Sequence, residues 1–280
     1  MIIDTHSHLN FKAFDQDRDQ IIKQCQEKGI VAVNVGTSLI TSKKAVDIAQ
    51  KNKNMWASVG LHPIHLASKI MKLQDDENEE NPNDEPEFDS QAYKELARNP
   101  KVVAIGEIGL DYYYKPKNTG KKLLFKQDQQ ELFKKELELA KELDKAVIIH
   151  CRMAYDDMID FFNNNPGLIP KRAVLHCFMA DLVYLNRFLD LGFFIGYNGI
   201  IFKQIPGINF EELIKTTPDQ RIVLETDCPY LIHPSRKGER NTPVGVLDVL
   251  NEVARIKQKD PNELAEIYNN NAKELFQIEF

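Results

Sequence analysis

The chain has 280 residues, with 42% hydrophobic and 28% charged side chains, a balance that is ordinary for a soluble globular protein. Its net charge of −6 argues against a protein that coats nucleic acid without specificity. No apolar run approaches the roughly 20 residues that are needed to span a bilayer, so no membrane partner is expected.

Short apolar runs alternate with amphipathic stretches along the whole chain. The runs are continuous and rich in β-branched residues, which is typical of parallel strands covered on both faces. Eight such units without a change in composition predict a single α/β domain over residues 1–280. Its architecture would be a TIM-type (β/α)8 barrel, regular or distorted, with the active site at the C-terminal ends of the strands. Strands are predicted at residues 2–5, 30–36, 56–62, 102–106, 146–150, 173–177, 193–197 and 222–225, and helices at 18–28, 42–52, 128–143 and from Asp260 and Pro261 onward.

Two segments interrupt this alternation. Residues 74–89 are acidic, rich in asparagine and proline, and nearly free of apolar side chains, which predicts a solvated loop extension after the third strand. Residues 113–126 are rich in lysine and follow the fourth strand. Their composition favours a solvated loop, and the alternative is a basic lip for an anionic substrate.

Most of the predicted strands end in a histidine, a glutamate or an aspartate. Imidazole nitrogens and carboxylate oxygens repeated at strand ends are what a barrel metalloenzyme requires. His6 and His8 lie two residues apart in an extended segment, so both can face one ion, with Asp4 as an orienting neighbour. The pattern predicts a metal-dependent hydrolase.

Glu107 places a carboxylate directly after an otherwise apolar strand. Burial without compensation would cost several kcal/mol, so the carboxylate needs cations or strong hydrogen bonds. A bridge between two ions is one solution, and an ion pair with an arginine is the other. With His150 and His176, Glu107 could form a second metal site. Asp227 is suited to hold the first ion and to accept a proton from water.

Two further residues are candidates for substrate binding. His62 ends the third strand and could contact either a metal ion or the substrate. Arg152 follows His150 by two residues and could bind an anionic oxygen, with a surface ion pair as the alternative. Arg240 and the lysines at 115, 117, 121 and 122 would add phosphate contacts at the mouth of the barrel. Such contacts predict weak sequence preference and marked salt sensitivity.

These residues stand in motifs that, as a set, resemble the TatD family of metal-dependent deoxyribonucleases, in the same order and over nearly the entire chain. The resemblance implies a binuclear site. His6, His8, Glu107 and Asp227 would hold one ion, and Glu107, His150 and His176 would hold the other. The resemblance also implies trimming of DNA from the 3′ end, whereas the segments 74–89 and 113–126 depart from the family pattern and leave substrate access open. The matching motifs are DTHSH at 4–8, VGLHP at 59–63, GEIGLD at 106–111, HCR at 150–152, HCF at 176–178, ETDCPYL at 225–231, RNTP at 240–243 and NAKELF at 271–276.

We therefore expect hydrolysis of DNA phosphodiester bonds, with single-stranded ends as the substrate and a water activated between two divalent ions. Zn²⁺ suits the histidines and Mg²⁺ or Mn²⁺ suits phosphodiester chemistry, so the sequence leaves the metal open. No obligate protein partner is expected. The four cysteines show no CxxC spacing and the N-terminus lacks the marks of a signal peptide, which predicts a cytoplasmic location.

Two other functions compete with this prediction. One is an amidohydrolase or esterase that acts on a small amide or ester or on aminoacyl-tRNA. Many binuclear amidohydrolases bridge their ions with a modified lysine, and Glu107 occupies that place here, which favours the nuclease. The other is a nucleic-acid-binding protein without activity, which the acidic balance and the lack of an aromatic–basic repeat disfavour.

Overall fold

The computed structural model describes residues 1–66, 77–79 and 88–279. Eight parallel strands lie side by side in chain order, each paired with the next, and they form a nearly closed TIM-type barrel as predicted. The strands are β1 (Ile2–Ser7), β2 (Ile30–Val35), β3 (Met55–Val59), β4 (Val102–Asp111), β5 (Ala146–Arg152), β6 (Ala173–Leu175), β7 (Phe194–Tyr197) and β8 (Ile222–Leu224).

Helices follow the strands and cover the outside of the sheet. In the described part of the chain, none of them is both long and apolar enough to cross a bilayer. The α-helices among these residues are α1 (Arg18–Glu27), α2 (Leu39–Lys51), α3 (Ser90–Ala97), α4 (Thr119–Glu142), α5 (Tyr155–Asn164), α6 (Leu182–Asp190), α7 (Phe210–Thr216), α8 (Val246–Lys257) and α9 (Pro261–Phe276).

The strands are buried on both faces, as the continuous apolar runs predict. Every residue of β1, β2, β4 and β8 is buried, so the side chains on both faces of these strands are covered. The start of α9 is also as predicted, because the Asp260 side chain accepts a hydrogen bond from the Asn262 amide and Pro261 takes the first helical position.

The first and last strands are joined by few hydrogen bonds. One isolated parallel bridge links Ser7 to Cys228, and the Asp227 amide donates to the carbonyl of His6 at 2.8 Å. The other seven strand pairs form parallel ladders, three of them with a register shift. We call this junction between β1 and β8 the seam. It lies where the predicted metal-binding residues of the first and last strands meet.

A buried carboxyl group ties the two sides of the seam together. Asp4 of β1 accepts hydrogen bonds from the Thr226 amide at 2.9 Å and from the Thr226 hydroxyl at 2.6 Å. Burial raises the pKa of Asp4 well above its usual value, and the hydrogen bonds from Thr226 oppose this shift. Asp4 also accepts the His6 amide at 3.2 Å. It therefore positions the main chain of His6 across the seam.

Several predicted boundaries differ from those in the structure, and two differ most. Strand β4 does not end at Gly106 but continues to Asp111, so Glu107 lies inside a strand. Helix α4 begins at Thr119, because Asn118 caps it by accepting the Lys121 amide and Phe125 is fully buried, so residues 119–126 are not a loop. The predicted loop at 74–89 lies mostly outside the described residues.

Candidate metal centre

A cavity of about 430 Å³ opens at the carboxyl ends of the strands. One of the eight predicted site residues, His6, is fully buried and does not line this cavity. The cavity therefore lies where a barrel enzyme carries its active site. The other seven predicted site residues line it, namely His8, His62, Glu107, His150, Arg152, His176 and Asp227.

Glu107 lies at the centre of the cluster, and its two oxygens face different histidines. Its Oε1 is 2.7 Å from His150 Nδ1 and 2.7 Å from His176 Nε2. Its Oε2 is 3.3 Å from His6 Nε2 and 4.0 Å from His8 Nε2. A single carboxylate thus contacts two groups of nitrogen atoms, one through each oxygen, as a bridging ligand would.

His6, His8 and Asp227 form the first group, which we call the seam group. The two histidine Nε2 atoms are 3.1 Å apart, and Asp227 Oδ1 lies 3.3 Å from His8 Nε2. His8 Nδ1 donates to the carbonyl of Val35 at 2.9 Å, so in the neutral ring Nε2 carries the lone pair. That lone pair faces His6 and Asp227, as metal ligation requires.

His150 and His176 form the second group, which we call the inner group. Nδ1 of His150 and Nε2 of His176 are 3.0 Å apart. A buried carboxylate lies behind each ring, since His150 Nε2 is 3.3 Å from Asp111 Oδ2 and His176 Nδ1 is 3.6 Å from Glu225 Oε1. Carboxylates in this position orient a ligating imidazole and raise its basicity.

Asp111 and Glu225 were not predicted as site residues. Glu225 Oε1 accepts hydrogen bonds from the Cys177 amide at 2.7 Å and from the Asn198 side chain at 2.8 Å. Gly196 makes room for it, because a Cβ atom there would lie 2.4 Å from Glu225 Oε2. The signal in the sequence was the same as for Glu107, a carboxylate in or directly after an apolar strand.

The buried charges favour cation binding at Glu107. Burial alone would raise the pKa of Glu107, but His176 and His62 hold it well below its usual value. Burial would lower the pKa of His176, but Glu107 raises it well above its usual value. Glu107 is therefore ionised at neutral pH and surrounded by groups that become ligands once they lose their protons.

His62 differs from the other histidines in its tautomer. Its Nδ1 accepts a hydrogen bond from the Ile64 amide at 3.0 Å, so the neutral ring carries its proton on Nε2. Burial lowers the pKa of His62, which favours that neutral form. The Nε2–H group donates to Glu107 Oε1 at 3.2 Å. This geometry favours a hydrogen-bond donor over a metal ligand, the two roles that the sequence left open.

Arg152 lies in the cavity wall beside the inner group. Its Nε and Nη2 atoms donate to Asp111 Oδ2 at 3.0 and 2.6 Å. Asp111 is only 2% exposed, so this ion pair is internal and not the surface pair that the sequence allowed as an alternative. About a third of the Arg152 side chain (31%) remains exposed.

The outer phosphate contacts predicted from sequence are not in the cavity. Arg240 donates to Asp17 at 2.5 Å and its guanidinium lies 4.2 Å from the Phe14 ring, so the expectation that it converges with His62 and Arg152 is wrong. The predicted lysines 115, 117, 121 and 122 do not line the cavity either.

Two charged residues that the sequence analysis missed do line the cavity. Lys203 follows a short 3₁₀ helix after β7, and Glu79 belongs to the acidic segment and hydrogen-bonds with Thr37. Neither residue directly follows a predicted strand, so the pattern of strand ends does not predict that they line the cavity.

The donor atoms fit divalent cations. Three sets of histidine and carboxylate atoms each lie within 4.8 Å of one another. Mixed nitrogen and oxygen donors of this kind bind Zn²⁺ and Mn²⁺ and, through the carboxylates, Mg²⁺. The sets are His6, His8 and Glu107; His6, His176 and Asp227; and His62, Glu107 and His150.

Comparisons with known proteins agree with this chemistry. The family model described as TatD related DNase matches residues 3–277. The "Uncharacterized metal-dependent hydrolase YabD" of Bacillus subtilis is 32% identical over 99% of this chain and 100% of that protein. The "3'-5' ssDNA/RNA exonuclease TatD" of Edwardsiella piscicida is also 32% identical over 99% and 100%. The crystal structure of the TatD homolog YjjV from Escherichia coli has a TM-score of 0.81 and 25% identity, covering 99% and 98% of the two chains.

Proposed function

The chain belongs to the TatD-related DNase family of metal-dependent hydrolases, and from that membership we propose that it is an exonuclease that removes nucleotides from single-stranded DNA ends with two divalent ions. The observation that carries this proposal is the position of Glu107, whose two oxygens face the seam group and the inner group separately. Two-ion sites are common in enzymes that cleave phosphodiester bonds.

The proposed ligand sets follow from these distances. His6, His8 and Asp227 with Glu107 Oε2 would hold one ion, and His150 and His176 with Glu107 Oε1 would hold the other. Divalent ions, when bound, supply an acidified water and neutralise negative charge on the phosphate. The choice among Mg²⁺, Mn²⁺ and Zn²⁺ is left to reconstitution.

The remaining steps belong to side chains that face the cavity. The Asp227 carboxylate is 18% exposed and takes up the proton of the attacking water. Burial opposes its ionisation, but the hydrogen bond with His8 lowers the pKa of Asp227, so the acceptor is ionised at neutral pH. Arg152 binds phosphate oxygens and orients the phosphorus atom, and the Nε2–H group of His62, which donates to Glu107 in the structure, would turn to a phosphate oxygen once Glu107 binds the ions.

The size of the cavity supports a strand end as the substrate. A volume of about 430 Å³ is that of a small-molecule site, so a phosphate and its sugar fit whereas a duplex does not. Contacts to phosphate carry little base information, and we expect weak sequence preference and marked salt dependence. The family relatives named as 3'-5' exonucleases support trimming from the 3′ end.

The test is a gel assay with DNA strands labelled at the 5′ or the 3′ end, using enzyme stripped by chelator and reloaded with Mg²⁺, Mn²⁺ or Zn²⁺. We expect stepwise shortening from the 3′ end only after reloading, and elemental analysis should find two ions per chain. A parallel panel holds a simple phosphodiester, a cyclic amide and an aminoacyl-tRNA. Cleavage of an amide or ester with intact DNA would establish the alternative hydrolase instead.

A further inference from the structure

Two adjacent tyrosines are exposed beside the metal cavity. Tyr113 and Tyr114 follow β4 and have exposed fractions of 55% and 41%. Their ring centroids are 4.8 Å apart and the rings are perpendicular, so they form an aromatic corner. Tyr114 lines the cavity that contains Glu107. Exposed aromatic surface next to a reaction site is a feature of ligand binding.

Most of the exposed large hydrophobic side chains belong to the segments that follow β4 and β5. Of eight such residues in the described part of the chain, five belong to these segments. Tyr114 lines the cavity, and the Tyr113 ring contacts Arg152, which lines it too. Leu123 and Leu124 lie on helix α4 and do not line the cavity. The five residues are Tyr113, Tyr114, Leu123, Leu124 and Met153.

Arg152 and Asp111 hold the two tyrosine rings beside the predicted metal ligands. The Arg152 guanidinium carbon lies 4.6 Å from the centre of the Tyr113 ring and 5.6 Å from that of Tyr114. Asp111 fixes both sides of this contact, because it binds Arg152 at 2.6 Å and accepts the Tyr113 amide at 2.8 Å. Since Asp111 also lies behind His150, the rings have a fixed position relative to the inner group.

We propose that Tyr113 and Tyr114 form a stacking platform for a nucleobase of the strand whose phosphate lies in the metal cavity. This inference rests on the proposed nuclease function and adds base binding to it. When a base stacks on Tyr114, the phosphate of the same nucleotide lies beside Arg152, which binds it. Every base offers a π face, so a platform of this kind tolerates all four bases.

A nucleobase fits this surface better than an apolar protein segment does. The platform is continuous with the cavity through Tyr114, and a cation lies against both rings where a strand would place its phosphate. Lys115 follows Tyr114 directly in sequence and Lys117 lies two residues further, so both add positive charge near the platform, although neither lines the cavity. Stacking beside cations is how proteins bind single strands without reading their sequence.

The test compares two DNA strands that differ only in whether the last two 3′ nucleotides carry bases or are abasic. For the wild type, we expect kcat/KM to fall about tenfold on the abasic strand, which is within the range of base–aromatic stacking. Tyr114→Leu should lose about tenfold on the normal strand and show almost no further loss on the abasic one. Tyr113→Leu should behave similarly, and Tyr114→Phe should keep the wild-type pattern.

Tyr184→Leu is the matched control. Tyr184 lies on α6, its hydroxyl donates to Asp156 at 2.6 Å, and it does not line the cavity, so this variant should match the wild type on both strands. Equal losses on both strands for Tyr114→Leu would show that the ring only supports Arg152 and would overturn the platform. Wild-type enzyme that cuts both strands equally well would also overturn it. Wild-type enzyme that cuts neither strand would overturn the proposed function and, with it, this inference.

Discussion

The seam group and the inner group each contain two histidines that face Glu107, but the rings of these histidines are held in different ways. His6, His8 and Asp227 lie at the ends of the first and last strands, which are joined by one isolated bridge, and a main-chain carbonyl fixes the His8 ring. His150 lies in β5 and His176 follows β6, and these two neighbouring strands form a regular ladder. Buried carboxylates lie behind both of their rings.

The difference separates two ways of preparing a metal ligand. A carbonyl fixes the tautomer of a histidine without adding charge, whereas a carboxylate also raises the basicity of the ring. The inner group should therefore hold its ion more tightly. The seam group should depend more on closure of the barrel. Glu107 faces both groups, so its substitution should have the largest effect on metal content and turnover.

Glu107→Gln should abolish both sites at once. An amide has no negative charge to share between two ions, so we expect loss of both ions and a fall in kcat of about 10³-fold or more. Elemental analysis and single-turnover kinetics measure these losses, and circular dichroism checks the fold. Retention of two ions with normal turnover would refute the bridging role.

Asp227→Asn should affect the seam group and leave the inner group intact. It removes the proposed proton acceptor and weakens the seam group, while the inner group contacts the other oxygen of Glu107. We expect turnover to fall about 10²–10⁴-fold with one ion per chain retained. Loss of both ions would show that the groups do not bind independently, and unchanged turnover would refute the role of Asp227.

Asp111→Asn should weaken the inner group alone. Removing the charge behind His150 should lower metal affinity there by about 10- to 100-fold. Metal titration by calorimetry should show one weakened and one normal site. Glu211→Gln, which removes an exposed ion pair with Lys215, is the matched control and should leave both sites unchanged. Two equally weakened sites would contradict the comparison.

Arg152→Ala should affect substrate binding without metal loss. The side chain contacts Asp111 and no predicted ligand, so we expect KM for DNA to rise about tenfold and the salt dependence to become less steep. Steady-state kinetics at several salt concentrations measures both. DNA cleavage equal to the wild type at every salt concentration would leave Arg152 with a structural role only.

Thr226→Val should have the smallest effect on activity. It keeps the shape of the side chain but removes the hydroxyl that donates to Asp4 at 2.6 Å across the seam. A buried acceptor without its partner costs about 1–3 kcal/mol, so Tm should fall while metal content and turnover change little. An unchanged Tm would show that Asp4 does not hold the seam closed.

The barrel and the cluster around Glu107 were predictable from the sequence. Parallel barrel strands bring their carboxyl ends to one face, so histidines after separate apolar runs had to converge. Asp111 and Glu225 carry the same signal as Glu107, but it does not show that they lie behind histidines. Their roles depend on distances across strands, such as the 3.3 Å between Asp111 and His150, which sequence spacing does not give.

Side chains in the long connections were the least predictable. Arg240 lies between β8 and α8, where no periodic pattern fixes direction, and the nearby Asp17 and Phe14 bind it. The start of α4 was missed because the lysine-rich segment shows little apolar periodicity before Phe125. Both outcomes reflect tertiary contacts that override local composition.

The position of the seam also sets the order in which the ligands can come together as the ribosome makes the chain. Glu107, His150 and His176 all emerge well before β8, and N-terminal parts of a chain generally fold first. His8 must wait for Asp227, which follows it by 219 residues. A nascent chain can therefore gather the inner ligand set first but acquires the proposed proton acceptor only after the last strand of the barrel has been made, which delays nuclease activity until then.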